Sequence, residues 1–365
     1  MEKAEPFRIR RTDHVLSRFG EQKVRRNKSS VPLENRSGRS LLLSQLLATR
    51  DLGILVVAGF TFLCFSLLAP RFFAVQNLLG VLREASLLCI LAVGMTYLLV
   101  SGEFDLSVGA HYGFLVTVLA FLIVLRGLNP WLAGLLVILL GLTLGIVNGL
   151  LVTQVRLQSF IATLGSMAVL RGAANIVSGG YPISARSEDD LFYKAIGGRW
   201  LWRIPNISLF MIVVLVIGGI VLAKTQFGYK IYATGGDEEA ARFCGINTAG
   251  IKLACFALTG ALCGLAATLL FGWIGLAPYN TGNGFELRVI AAAVVGGTGL
   301  FGGRGTIFGT FVGAILLGIL TNGLILLGVK QFWDGVAAGT LILLVAALDL
   351  LVRRSTVHLA EASGT

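Results

Sequence analysis

The sequence predicts an all-α integral membrane protein of about ten transmembrane helices, interrupted by broken or re-entrant glycine-rich segments. Three observations predict it. The 365 residues are 55% hydrophobic with a mean hydropathy of +0.82, and only 13% are charged, about half the share usual in soluble domains. The apolar residues gather in runs close to the ~20 residues that a helix needs to cross a bilayer. The 47 glycines cluster between and within those runs.

The elements follow in order. Residues 1–50 carry twelve Lys or Arg against five Asp or Glu. This basic arm reads as a cytoplasmic juxtamembrane tail near anionic lipid rather than a nucleic-acid binder. It is no signal peptide, because the first long apolar run begins only near Leu52 and no small-residue cleavage pattern follows. The candidate spans are Leu52–Ala69, Ala85–Val100, Ser107–Leu125, Trp131–Val152, Ser159–Ser178, Ile207–Ala223, Ile251–Gly272, Val289–Gly297, Thr306–Leu327 and Trp333–Val352. The second can begin as early as Val75. The eighth is too short to cross alone, so it must be extended, or broken and shielded by protein. Together they form a membrane domain over 51–352, with a C-terminal tail at 353–365. An even number of spans puts both ends on one side. With the N-terminus inside, inner segments hold twenty Lys or Arg and outer segments nine, which makes both termini cytoplasmic. Without the tail the balance is eight against nine, so the orientation rests on the tail. Of the two long loops, Gly179–Asn206 lies outside, with Trp200 and Trp202 at the interface, and Lys224–Gly250 lies inside. Neither can hold a soluble catalytic domain.

Several chemistries are missing. The five cysteines form no CxxC pair and the three histidines are scattered, so no zinc or haem spacing exists. No HExxH, GxSxG or Cys/His arrangement appears, and nothing reads GxxxxGK[ST]. No catalytic residue, cofactor or metal site is assigned, and this chain is not expected to hydrolyse ATP itself. The stretch VVGGTGLFGGRGTIFG (Val294–Gly309) holds seven glycines and fits Gly297-x-Gly299-x-x-Gly302. A dinucleotide fingerprint, however, needs a strand before it, a helix after it and an acid about 20 residues on. Here no Asp or Glu occurs between Glu286 and Asp334. The glycines read instead as a tight break followed by a closely packed helix, with Gly305, Gly309 and Gly313 spaced by four.

SGEFDLSVG (Ser101–Gly109) has a similar layout. Asp105 is placed to cap a helix beginning near Leu106, with Ser107 in the first turn. Glu103 and Asp105 are the two carboxylates between Ala85 and Ser187, and ionisable groups at membrane depth point to function. Polar residues within the spans include Asn148, Thr163, Ser166, Arg171, Asn175 and Asn322. Between two spans lies GGDEEAARFCGIN (Gly235–Asn247), a short helix with its own start and stop. Asp237 can cap it, Glu238 and Arg242 form an i,i+4 pair, and Gly245 stands at the C-terminal glycine position. A short helix clamped between two spans can pass a push directly into them, which suits a docking knob for a cytoplasmic partner.

Four stretches together carry a resemblance: AVGMTYLLVSGEFDLSVG (Ala92–Gly109), SFIATLGSMAVLRG (Ser159–Gly172), YATGGDEEAARFCGIN (Tyr232–Asn247) and AAAVVGGTGLFGGRGTIFGTFVGAILLGILTNGLILLGV (Ala291–Val329). Over roughly Leu52 to Val352 the chain resembles the permease subunits of bacterial ABC importers for ribose, xylose and related sugars, including the autoinducer-2 permeases. The resemblance implies a multi-pass protein of the bacterial plasma (inner) membrane that pairs with a second permease copy. It implies two cytoplasmic ATP-binding subunits and an extracytoplasmic sugar-binding protein as partners. It makes Asp237, Glu238, Glu239, Ala240, Ala241, Arg242 and Gly245 the ATPase-coupling helix. It places the segment of Glu103, Asp105 and Ser107 near the translocation path, for which Asn148 and Asn322 are further candidates. An ion- or proton-coupled secondary transporter is the alternative; its titratable groups would be Glu103, Asp105, Glu286, Asp334 and Asp349. A membrane enzyme or receptor scaffold would show a catalytic or metal cluster, and the sequence has none.

Overall fold

The computed structural model describes residues 50–185, 191–200 and 204–329, with isolated positions between 333 and 340. They belong to one compact unit, Leu46–Thr365. The basic tail, most of the span expected at Trp333–Val352, the C-terminal tail, Trp202 and the side chain of Trp200 lie outside the described residues, as do Asp334 and Asp349.

Twelve helices are described: α1 (Arg50–Leu68), α2 (Val75–Val100), α3 (Val108–Ala120), α4 (Pro130–Thr153), α5 (Ser159–Ser178), α6 (Leu191–Gly197), α7 (Asn206–Lys224), α8 (Gln226–Gly236), α9 (Glu238–Phe243), α10 (Thr248–Ile274), α11 (Phe285–Val295) and α12 (Ile307–Leu326). A π-turn, Phe121–Leu125, continues α3. Seven of these helices are long and apolar enough to cross a membrane, and Gly53–Leu68 is a shorter apolar helix. The second span does begin at Val75. The eighth is a half-helix of 11 residues, α11, folded back against α12.

Every residue of α2 from Ala85 to Val100 is buried. A helix apolar on all sides belongs inside a bundle, and α7, α10, α11 and α12 surround it. The closest helix pair is α4 with α10, where glycines let backbones touch. A Cβ added at Gly141 would strike the carbonyl of Gly260, and one at Gly145 the carbonyl of Phe256. Close approach through small residues replaces the hydrophobic drive that lipid cannot supply. The outward faces of α4 and α7 are apolar, with Leu135, Leu139, Val213, Val216 and Ile217 exposed, as lipid requires.

Four two-residue strands complete the described residues: β1 (Ile183–Ser184), β2 (Arg199–Trp200), β3 (Ile204–Pro205) and β4 (Leu276–Ala277). Antiparallel pairing of β1 with β4 joins the loops that follow α5 and α10. The opposite end of the bundle gathers the C-terminal end of α2, the α8–α9 junction and the glycine-rich break before α12.

Candidate functional site

At that opposite end, three chain breaks meet. The Gly303 N–H donates to the Val100 carbonyl over 2.9 Å. A Cβ at Gly302 would strike Gly235, and one at Gly235 would strike Val100. The Tyr232 hydroxyl donates to the Gly305 carbonyl over 2.6 Å. Within the break Gly296–Thr306 the amides of Gly296, Gly297, Thr298, Gly299, Gly302 and Gly303 donate to backbone carbonyls; the Gly299 N–H, for example, donates to Arg304 O over 2.9 Å. A phosphate cradle needs those amides free, so the geometry supports packing for these glycines. After the break, Gly309 and Gly313 face the carbonyls of Gly296 and Ala292 on α11.

The short helix α9 is assembled from local rules. Asp237 adopts extended backbone, and its carboxylate accepts the Ala240 N–H over 2.9 Å, which satisfies an N-terminal donor. Arg242 pairs with Glu238 one turn away. At the other end Gly245 takes φ +81°, a left-handed value that glycine adopts without a Cβ clash. Phe243 is 91% exposed, and Glu239 and Ala240 share the open side of the helix.

Lys252, the fifth residue of α10, ties this helix to the α2–α3 break. Its ammonium donates to Glu103 Oε1 and to Glu238 Oε2, each over 2.7 Å. The Lys252 and Glu103 side chains are 12% and 13% exposed. Glu238 also accepts from Thr248 over 3.1 Å. Burial alone would raise the Glu238 pKa, but the Lys252 ammonium and the Arg242 and Thr248 donors hold it below the ordinary carboxylate value. Glu103, Arg156, Ser159, Glu238, Arg242 and Lys252 are among the residues lining a cleft of about 590 Å³.

Deeper in the bundle a second polar line crosses three helices. Asp105 is buried, and its Oδ1 accepts the Ser107 N–H over 2.7 Å and the Ser107 hydroxyl. Asn148 of α4 donates to Ser107 Oγ over 2.9 Å, and Ser166 of α5 donates to Asn148 Oδ1. His111 Nδ1 stands 3.8 Å from Asp105 Oδ2. This line borders a cleft of about 410 Å³ lined by His111, Asn148, Ser166 and aliphatic residues. Helix α3 starts at Val108 with Ser107 as its N-cap residue. Asp105 thus closes a turn just before the helix instead of capping it, because its oxygen reaches the Ser107 amide two residues on.

Of the path candidates, the structure brings Asp105, Ser107 and Asn148 together. Glu103 sits apart from them with Lys252. Asn322 lies elsewhere, in reciprocal amide hydrogen bonds of 2.9 and 3.0 Å with Asn77 of α2. Sequence reasoning missed Lys252 and Phe243. A lone cation opening a long apolar run was a usable signal for the first, since such a charge needs a carboxylate partner. Among the described residues, no three His, Cys, Asp or Glu side chains come together as a metal site would require.

Comparison with known proteins adds a family. Residues 77–346 match the family described as "Branched-chain amino acid transport system / permease component". The probable ABC transporter permease protein YphD of Escherichia coli (strain K12) is 38% identical over 331 residues, 90% of this chain and 98% of the relative. The ribose import permease protein RbsC of Bacillus subtilis (strain 168) is 38% identical over 284 residues, 78% of this chain and 88% of the relative. The autoinducer 2 import system permease protein LsrC of Photorhabdus luminescens is 33% identical over 308 residues, 84% of this chain and 92% of the relative. No solved structure matches the chain.

Proposed function

The chain belongs to the branched-chain amino acid transport system / permease component family, and from that membership we propose that it is the membrane-spanning permease subunit of an ATP-binding-cassette importer for a sugar or sugar-like solute. Relatives named for ribose and autoinducer 2 import support that solute class. It is a transport component and not an enzyme. An extracytoplasmic binding protein delivers the solute, cytoplasmic ATP-binding subunits hydrolyse ATP, and a second permease copy, identical or not, completes the pore. Both termini lie in the cytoplasm of a bacterial inner-membrane protein. Residues 1–50 form a basic cytoplasmic tail, 51–352 the permease domain and 353–365 the C-terminal tail.

One observation carries the mechanism. The helix of Glu238–Phe243 has its own cap and stop, presents Phe243 to an outside surface, and is bridged by Lys252 to the break at Glu103. Force applied to Asp237, Glu238, Glu239, Ala240, Ala241, Arg242 or Gly245 reaches two membrane helices through one ammonium. The polar line Asp105–Ser107–Asn148 then lies next to the moving segment and supplies hydroxyl and amide groups near the path; Glu103 acts on the coupling side of it. Sugars are neutral, so such groups suit them better than bare charge.

The test is reconstitution. The chain with its ATPase and binding protein in proteoliposomes takes up sugar only with ATP, and the chain alone moves none uphill. Phe243→Asp is expected to release the ATPase from the purified complex while the permease still folds. Concentrative uptake by the lone chain, driven by an ion gradient, would overturn the reading in favour of a secondary transporter.

A further inference from the structure

The chain between α10 and α11 leaves the β1–β4 ribbon at Ala277 and turns back into the bundle. Its turns at Pro278–Gly284 seat on α3. A Cβ at Gly113 would strike the Thr281 carbonyl, and one at Gly282 would strike the Gly109 carbonyl. Gly282 and Gly284 take φ of +82° and +73°. The Phe285 ring stacks on Tyr112 of α3 at 5.6 Å. Next to it Glu286 accepts from Arg171 of α5 over 2.9 Å.

These contacts fix the depth. Gly113 lies twelve residues before Leu125, or about 18 Å along the helix at 1.5 Å per residue. Arg171 lies twelve residues after Ser159, again about 18 Å from one end of its span. The loop therefore reaches the middle of a hydrocarbon layer about 30 Å thick. Non-helical backbone at that depth survives only where it is buried in protein or lines water. Yet Tyr279 is 57% exposed, and Asn280 and Asn283 are exposed as well. Neither asparagine side chain makes a hydrogen bond among the described residues. The Arg171 side chain that pairs with Glu286 is 35% exposed, and Asn175, one turn further along α5, is exposed. The lipid-facing sides of α4 and α7, by contrast, are aliphatic.

We infer that the re-entrant loop Pro278–Gly284 lines the solute path and contacts a neutral polyhydroxylated solute through Tyr279, Asn280 and Asn283. The inference rests on the importer reading above and names a solute site within it. Carboxamides both donate to and accept from hydroxyl groups, and a phenol ring offers a face to the C–H side of a sugar. The Arg171–Glu286 pair neutralises itself, so the face carries polar groups without a net charge that would favour ions.

The test uses the assembled transporter in proteoliposomes, with Cys64→Ala and Cys244→Ser removing the more accessible native thiols. Asn280→Cys, Asn283→Cys and, as a lipid-facing control, Ile217→Cys are treated with a charged, membrane-impermeant thiosulfonate. The thiolate is the reactive form, and apolar surroundings disfavour it by two or more pK units, so the loop thiols should react at least about a hundredfold faster than the control. D-ribose or D-xylose delivered by the binding protein should slow that reaction, and Tyr279→Ala and Asn283→Ala should lower sugar uptake while Asn283→Gln retains it. Labelling at the control rate would overturn the inference, as would labelling indifferent to sugar with normal uptake in both alanine variants. Failure of ATP-driven uptake by the unsubstituted complex would instead count against the importer reading. The labelling rates separate the two failures.

Discussion

Replacing Lys252 with methionine removes one ammonium and keeps most of the apolar stem, so packing changes little. Two ion pairs of 2.7 Å disappear. Glu238 keeps Arg242 and Thr248, whereas Glu103 has no other ion-pair partner among the described residues. Deleting one partner of a fully buried pair costs about 3–5 kcal/mol. Here the Glu103 and Glu238 side chains are 13% and 33% exposed, so water screens part of the loss. The expected destabilisation is about 2 kcal/mol, most of it from the stranded Glu103. Neutralising both ends, as in Lys252→Met with Glu103→Gln, should recover about 1 kcal/mol, because no buried charge is then left unpaired. Thermal unfolding of the purified complex in detergent gives the stability cycle. Solute moved per ATP in proteoliposomes gives the coupling. Loss of about 1.4 kcal/mol of linkage corresponds to roughly tenfold fewer productive strokes. If Lys252→Met is neutral in both assays, or the double variant is no better than the single, the ammonium does not join the helix Glu238–Phe243 to the membrane helices.

Two further outcomes follow from the same structure. Gly260→Ala drives a methyl into the Gly141 carbonyl and should lower stability by about 1–3 kcal/mol, while Gly165→Ala, with open space around it, should be near neutral; equal effects in a thermal melt would remove the backbone-contact argument for α4 and α10. The Glu238 pKa is depressed below its ordinary 4.5, so its stabilisation is present above pH 4.5 and lost only as pH falls through the lower folded value. Between pH 8 and pH 5 that contribution should therefore be constant, so Glu238 adds no pH dependence there, and Glu238→Gln should flatten part of the loss seen in stronger acid; an identical acid limb in both proteins would contradict the pairing.

Much of this architecture was legible in residue order. Apolar runs of membrane length gave the spans, and the run at Val289–Gly297 was visibly too short to cross, as its 11-residue half-helix bears out. The helix at Glu238 was legible down to its cap, its i,i+4 pair and its terminal glycine, because each depends on neighbours within a turn. What stayed hidden depends on distance. Lys252 and Glu103 are 149 residues apart, and nothing local announces that they meet. Asn322 looked like any polar group inside a span until the fold set it against Asn77. The short polar stretch before Phe285 carries no local mark of its depth, because depth is a property of the assembled bundle. Asp105 misses the cap by two residues: its short side chain satisfies the Ser107 amide, so the helix starts at Val108.

The glycines of the Val294–Gly309 stretch acquire their meaning from the same geometry. Three chain breaks, at Val100–Gly102, Gly235–Gly236 and Gly302–Gly303, touch through main-chain atoms, and a Cβ at Gly235 or Gly302 would collide with the neighbouring strand of chain. Side chains between them would add rotatable bonds, each able to absorb a displacement by changing rotamer. Backbone against backbone leaves no such slack, since interiors packed to that density transmit strain. A displacement of the helix Glu238–Phe243 therefore has two routes into the bundle, the side-chain bridge of Lys252 to Glu103 and the stiffer backbone contact of the glycines before α12. The first can be removed by changing a charge and the second only by adding volume. That difference makes their contributions separable: in the Lys252→Met protein, whatever coupling survives should vanish when Gly302→Ala is added.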